Sequence, residues 1–562
     1  MHLEEPAIAD NGNMYHLLFD NPSPCFFLLF VASFLLLTQW KSISPHRLLR
    51  WSSLLGTTSI VAYLFINVLN IYRVGMIWHD EANILSIAAA YCKGEPIYHA
   101  VTAPAFYSLF YGPSTFLIFG LFLAISPHPI PAIKIGIFIA NSIELLLLFI
   151  AMRTWASRPV ALSLLPIATT FLLAYPGVLL GMRGDPWLLC CITLAAVCAL
   201  RGTFLGPIGS AVIAGILGGF AVDFKATVAP AVCLVFAIIY RRYGFRASLV
   251  SATASIATAL GIFSLPHISL RNYVAWLIIS SHQRFLKSTC LGNLVAAGFL
   301  LAPIVCVMIL GSKPVRVRRS SWSVPLLGAF ALIICIVTGS KDGAGLWHLW
   351  PMLPFLLITA AYQFSEQFET LDQEPDKTAA KRELDPDRGP ARTSIVLASI
   401  AVAGTFVSMY FSARAIAVAR PTGGSEWRTT ESSAQRSVES IIARSSPGEN
   451  LSMGYGRQVT DYRTDLRFEL PLANQDYFFD ENSVVEGVKA GFPIPAGVLH
   501  RILGCRDTWI IPHGEAPFSA VRIGVLPVTT TAYIFPDELR LHFADSHMLF
   551  QQGDVFDIWK CR

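Results

Sequence analysis

The chain has 562 residues, 54% of them hydrophobic and 14% charged, with a mean hydropathy of +0.54 and a net charge of +5. This excludes an ordinary soluble domain, a disordered chain and a disulfide-rich scaffold, and the small net charge offers no field for a nucleic acid. Apolar runs of about 15–22 residues recur along the chain, as a polytopic α-helical membrane protein requires, because lipid offers backbone polar groups no partner.

Met1 to Asn21 carries Glu4, Glu5, Asp10 and Asp20 without a basic stretch, so residues 1–23 read as an outer tail rather than a secretory signal. Twelve spans are predicted in the membrane domain 24–413, over 24–40, 52–71, 132–152, 159–181, 186–200, 207–222, 226–240, 247–265, 290–310, 322–338, 346–363 and 394–413. With the tail outside, the first five inside loops hold thirteen basic residues, Lys41, Arg153, Arg201, Arg241 and Lys313 among them, and no acidic one. Outer loops mix both signs, and the positive-inside rule selects this orientation. The apolar stretch 114–125 is too short for a hydrocarbon core of about 30 Å and is bounded by Gly112-Pro113 and Pro127, so it reads as re-entrant or interfacial. Residues 73–131 then form one long outer loop, in which Asp80 to Tyr91 is expected as an amphipathic helix on the membrane surface.

Residues 364–393 read as a charged cytoplasmic loop. Residues 414–562 have ordinary mixed composition and read as a separate extracytoplasmic α+β domain, with strands over Thr508–Ile511 and Val521–Leu526. Cys505 and Cys561 are the only cysteines of that domain, and an oxidising compartment permits a bridge between them. Most other cysteines lie in apolar runs without metal-ligand spacing, so neither a metal nor a cofactor is expected.

The chemistry concentrates in the outer loops. Trp78-His79-Asp80-Glu81 places adjacent acids just past a membrane helix, where a carboxylate suits a general base that takes a proton from a hydroxyl. The plain alternative is a helix N-terminus, which favours acids through its dipole. Arg183-Gly184-Asp185 joins the fourth and fifth spans on the same face, and the same residues would also suit a buried pair that ties two helices. Asp223-Phe224-Lys225 and the Gly339 to His348 segment, with Lys341 and His348, open to that side. A lysine at a helix mouth suits a phosphate, although snorkelling to the interface also accounts for Lys225.

Taken together, Asp80-Glu81, Gly94 to Tyr98, Tyr111-Gly112-Pro113, the Arg183-Gly184-Asp185 turn and Lys341 to Pro351 resemble the GT-C glycosyltransferases, in particular the protein O-mannosyltransferase and lipid A aminoarabinose transferase group. The resemblance covers about residues 50–365. It implies a GT-C membrane fold in a bacterial inner or plasma membrane and an extracytoplasmic site. It further implies a polyprenyl-phosphate-linked sugar donor, inversion at the anomeric carbon, and a lipid, glycan or protein acceptor. Carried over residue by residue, Asp80 is the implied base and Asp185 matches the acid of the second outer loop. Beside that resemblance, Glu81 is expected to orient either Asp80 or the acceptor. Arg183, Lys225, Lys341, His348, Tyr98 and Tyr111 are the candidate donor-binding residues. An extra span before the first loop, and a Tyr111 region unlike the charged Pro-rich stretch of the aminoarabinose enzymes, set this chain apart. Two other classes compete: a transporter or flippase, for which Glu144 in the third span is the best residue, and a non-catalytic assembly subunit.

Overall fold

A computed structural model of the chain describes residues 23–39, 44–73, 76, 77, 79–107, 110–126, 128–310, 323–372, 388–419, 424–458, 461–523, 526, 527 and 533–562. The expected outer tail up to residue 22, Trp78, and residues 373–387 of the charged loop lie outside them. Each of the twelve predicted spans overlaps helix among the described residues, although 159–181 is divided between Arg158–Leu173 and the short Pro176–Leu179. Among the described residues seven helices are long and apolar enough to cross a membrane: Pro45–Ile71, Pro129–Arg153, Gly206–Phe224, Ala226–Tyr243, Phe245–Ser264, Lys287–Leu310 and Arg392–Ile416. Pro24–Gln39, Pro113–Ile125, Arg158–Leu173 and Val324–Thr338 are apolar but shorter.

Small residues set the closest crossings. An ideal Cβ on Gly215 or Gly219 would lie 2.2 Å or 2.5 Å from the carbonyl oxygen of Ser251 or Ser255, so the Gly206–Phe224 helix meets its neighbour backbone to backbone. Gly56 meets the Leu162 carbonyl in the same way. Glu144, on the Pro129–Arg153 helix, is buried and accepts the Thr193 hydroxyl at 3.0 Å, which places it in a helix contact.

After the Arg388–Ala419 helix, the chain forms a four-stranded sheet of order β1-β2-β6-β5, from Asn450–Met453, Asp507–Pro512, Phe556–Cys561 and His547–Gln551. β1 pairs parallel with β2, and the other pairs are antiparallel. The predicted strand over Thr508–Ile511 is β2, buried along its length. The predicted strand Val521–Leu526 is instead a small pair, β3 (Arg522–Ile523) with β4 (Leu526–Pro527). Trp509, Phe518, Phe535 and Phe543 stack edge to face beneath the sheet. Cys505 and Cys561 are joined by a disulfide, with Cα atoms 5.1 Å apart.

This region shares one apolar core with the outer loop. Ile84, Ile87, Tyr98, Phe106, Trp276, Phe479 and Trp509 belong to the same buried cluster. The backbone joins too: Phe106 N–H donates to the Phe478 carbonyl at 2.5 Å, and Asp480 N–H to the Phe106 carbonyl at 3.2 Å. The segment expected as a surface amphipathic helix is the helix His79–Cys92, but residues 81–90 are all buried. The reason is physical: of the polar side chains that would face water, Asn83 is held by Arg467 of the C-terminal region and Ser86 donates to the Ala82 carbonyl of its own helix.

The disulfide closes a loop of 56 residues. Cys561→Ser is expected to lower the stability of the C-terminal region by about 4 kcal/mol on chain-entropy grounds. Non-reducing intact mass after alkylation checks the bridge, and thermal unfolding of the variant checks the magnitude.

Candidate active site

Asp80 and Glu81 occupy the first turn of the His79–Cys92 helix, where unpaired backbone N–H groups favour acids. Glu81 Oε1 accepts the Ile77 N–H at 2.8 Å, reaching back as a capping glutamate does. Its side chain is buried against Gly181, where an ideal Cβ would come within 3.2 Å of the same oxygen.

Asp80 points instead to the turn that leads into the helix Asp185–Arg201. Arg183 NH1 lies 3.2 Å from Asp80 Oδ2, Arg183 Nε lies 3.3 Å from Asp185 Oδ2, and Lys225 Nζ lies 3.0 Å from Asp185 Oδ1. The four residues form one chain of alternating charge. Side-chain exposure is 18% at Asp80, against 5% at Arg183, 4% at Asp185 and 14% at Lys225, so Asp80 is its most accessible carboxylate. Burial pushes the Asp185 carboxyl up, but Lys225 and Arg183 outweigh it and hold the group below its usual range. Burial draws the Lys225 ammonium down against the opposing pull of Asp185.

Aromatic rings enclose the guanidinium. Arg183 lies 5.3 Å from the Tyr111 ring centroid and 5.6 Å from that of Trp347, and it donates to the Tyr111 hydroxyl. Tyr111 is placed by the turn that follows it. Gly112 N–H donates to the Phe224 carbonyl at 3.1 Å, Ser114 N–H to Asp223 Oδ2 at 2.8 Å, and Thr115 Oγ1 to the Phe224 carbonyl at 3.3 Å. The approach is so close that an ideal Cβ on Gly112 would fall 1.5 Å from the Asp223 carbonyl oxygen. Lys225, next in the chain, thereby comes within 5.9 Å of the Tyr111 ring centroid.

The remaining sequence candidates divide. His348 shares a small cavity with Asp185, Lys225, Thr227 and Trp347, so it joins the cluster. Tyr98 is buried and donates to the Tyr111 carbonyl at 2.6 Å; it supports Tyr111 from behind. Lys341 lies on another strand-like segment, paired with Phe285, and its ammonium donates to the Ser281 carbonyl at 2.9 Å. No contact joins it to Arg183 or Asp185 among the described residues.

Sequence reasoning missed Trp347 as a ring over Arg183, although it stands beside His348. It also missed the C-terminal residues around the Asp80 helix. Arg467 reaches Asn83, and Asp465, on the same short helix Thr464–Phe468, is pushed up to about 7 by burial, with Glu81 among the charges that raise it further. No local signal in the sequence marks either.

No family model matches this sequence, and no curated protein matches it. Solved structures do. ArnT from Cupriavidus metallidurans bound to undecaprenyl phosphate is similar at a TM-score of 0.53 with 12% identity, over 91% of this chain and 97% of that one. The apo state of the same protein gives 0.52 and 13% over the same shares. At such identity the likeness is one of fold, and the chain has the GT-C fold that the sequence resemblance implies.

Because Gly112 touches backbone, Gly112→Ala cannot be absorbed by a rotamer change. It is expected to destabilise the protein by about 3 kcal/mol or more. Gly298→Ala is the control, since its Cβ meets nothing within 4 Å. Thermal unfolding in detergent should separate the two, with the control unchanged or raised.

Proposed function

We propose that this chain is an inverting membrane glycosyltransferase. It moves a sugar from a polyprenyl-phosphate donor to a hydroxyl of a lipid, glycan or protein acceptor at the extracytoplasmic face. The observation that carries the reading is the charge chain Asp80–Arg183–Asp185–Lys225, with its accessible carboxylate at one end and its cations beside it. The similar fold of ArnT, solved with undecaprenyl phosphate, supports a donor of that chemical class.

In the proposed reaction Asp80 takes the acceptor hydroxyl proton while that oxygen attacks the anomeric carbon. The bond from that carbon to the phosphate oxygen breaks with its electron pair, and the lipid phosphate leaves from the opposite side. Inversion follows from this geometry. Arg183 and Lys225 are assigned to the charge that grows on the departing phosphate, because donors in a site poor in water act strongly and need no reorganisation. Asp185 keeps both cations in place, and Trp347, Tyr111 and His348 wall the phosphate side. Glu81 orients the helix turn. Residues 73–131 form the catalytic outer loop of a membrane domain over 24–413, residues 364–393 belong to the cytoplasmic side, and residues 414–562 to the outside.

Asp80→Asn is expected to lower turnover by about 10²–10⁴-fold with donor affinity largely kept, as removal of a positioned base does. Glu81→Gln replaces the carboxylate oxygen that accepts the Ile77 N–H by an amide oxygen that can still accept it, and should cost much less. Transfer from polyprenyl-phosphate-linked sugars by purified protein, with donor binding measured in parallel, is the test. A Glu81→Gln loss exceeding that of Asp80→Asn would move the base to Glu81. Asp185→Asn is expected to reduce turnover strongly while the chain still inserts, and near-normal rates would restrict the pair to helix packing.

The topology is tested with Glu95→Cys in a background with Cys92→Ser. Position 95 is exposed, so an impermeant maleimide should label it in intact cells. Labelling only after permeabilisation would place Asp80 on the cytoplasmic side.

A further inference from the structure

The helix turn that presents Asp80 is gripped from two directions. Arg183 meets it at Asp80. From the other direction, Arg467 of the C-terminal region donates through Nε to Asn83 Oδ1 at 2.5 Å, and the Tyr477 hydroxyl donates to the same oxygen at 3.3 Å. Asn83 is wholly buried, and Arg467 is 1% exposed. The Arg467 guanidinium also donates through NH1 to the Thr464 carbonyl at 2.8 Å, and it stands 3.5 Å from Asp465 Oδ1.

Burying a guanidinium is expensive, and an apolar residue of similar length would fill the same space at less cost. What an apolar residue cannot do is hold an amide oxygen at a fixed angle. Asn83 follows Asp80 by three residues, so the two side chains leave the helix about 60° apart. Fixing Asn83 against Arg467 therefore fixes the rotation of the helix about its own axis, and with it the direction of Asp80.

We propose that Arg467 is a positioning residue for the transfer step, acting through Asn83. This rests on the glycosyltransferase reading above. It gives the C-terminal region a part in the reaction although no reacting group lies there. A misplacement of about 1 Å at a reacting atom is enough to cost on the order of 100-fold in rate.

The test uses the full chain in detergent with two readouts: hydrogen exchange over residues 79–92, and transfer from an undecaprenyl-phosphate-linked sugar that the wild-type chain turns over. Arg467→Met should raise exchange in that helix and lower kcat by about 10- to 100-fold, with affinity for undecaprenyl phosphate within about threefold of wild type. Tyr477→Phe, which removes only the second donor, should lower kcat by a few-fold. Adding Arg467→Met to Asn83→Ala should cost little beyond Asn83→Ala alone, because both act through one contact. A merely structural arginine would instead give additive losses, and wild-type exchange at 79–92 in Arg467→Met would also overturn the proposal. If Arg467→Met does not fold, Asn83→Ala and Tyr477→Phe decide, and unchanged kcat in both overturns it. If the wild-type chain transfers no sugar from any donor, the transfer reading falls, and the exchange data alone decide whether Arg467 positions the helix.

Discussion

A guanidinium removed from water at the edge of a membrane has to be met on every side, and much of this architecture follows from how Arg183 is met. Two carboxylates and the Tyr111 hydroxyl meet its N–H groups, and the rings of Tyr111 and Trp347 lie beside it. Each of those partners imposes a condition on the chain that carries it. Asp80 requires the start of a helix at that point, and Tyr111 requires a turn tight enough to lie on the end of another membrane helix. Trp347 requires the short helix Leu346–Met352 to fold over the top. The glycines at 112, 181 and 184 make these approaches sterically possible.

The second consequence is that the cluster is shared property. Its acids and cations come from three separate connections between helices, and the helix with Asp80 is roofed by residues from the C-terminal region. The apolar core crosses from the outer loop into that region without a break, and the backbone hydrogen bonds of Phe106 stitch the two together. A domain joined through a continuous core moves with its partner, unlike one joined by a polar seam.

Much of this is legible in the sequence and some of it is not, for definite reasons. Asp80, Arg183, Asp185 and Lys225 are each polar residues at the end of an apolar run, and alternation of the spans assigns those ends to one side. Lys341 satisfies the same rule yet does not converge, because the rule specifies a side and not a place on it. Tyr98 belongs to the right loop, but its ring packs against Phe116 and Tyr273 and only its hydroxyl reaches towards Tyr111. The burial of the Asp80 helix is invisible to any local pattern. Asn83 reads as a water-facing residue until a partner 384 positions away is known.

The sheet order β1-β2-β6-β5 puts the last strand in chain order between two earlier ones, and the Cys505–Cys561 bridge closes only once that strand is present. Arg467 and Tyr477 likewise leave the ribosome long after Asn83. At about 5–20 residues per second, the 384 residues between Asn83 and Arg467 correspond to roughly 20–80 s of synthesis. Throughout that interval the membrane helices are threaded while the Asp80 turn lacks its cover. The four charged residues of the cluster, Asp80 to Lys225, are thus made first, and the cover over the helix that carries Asp80 is a late event in the birth of the molecule.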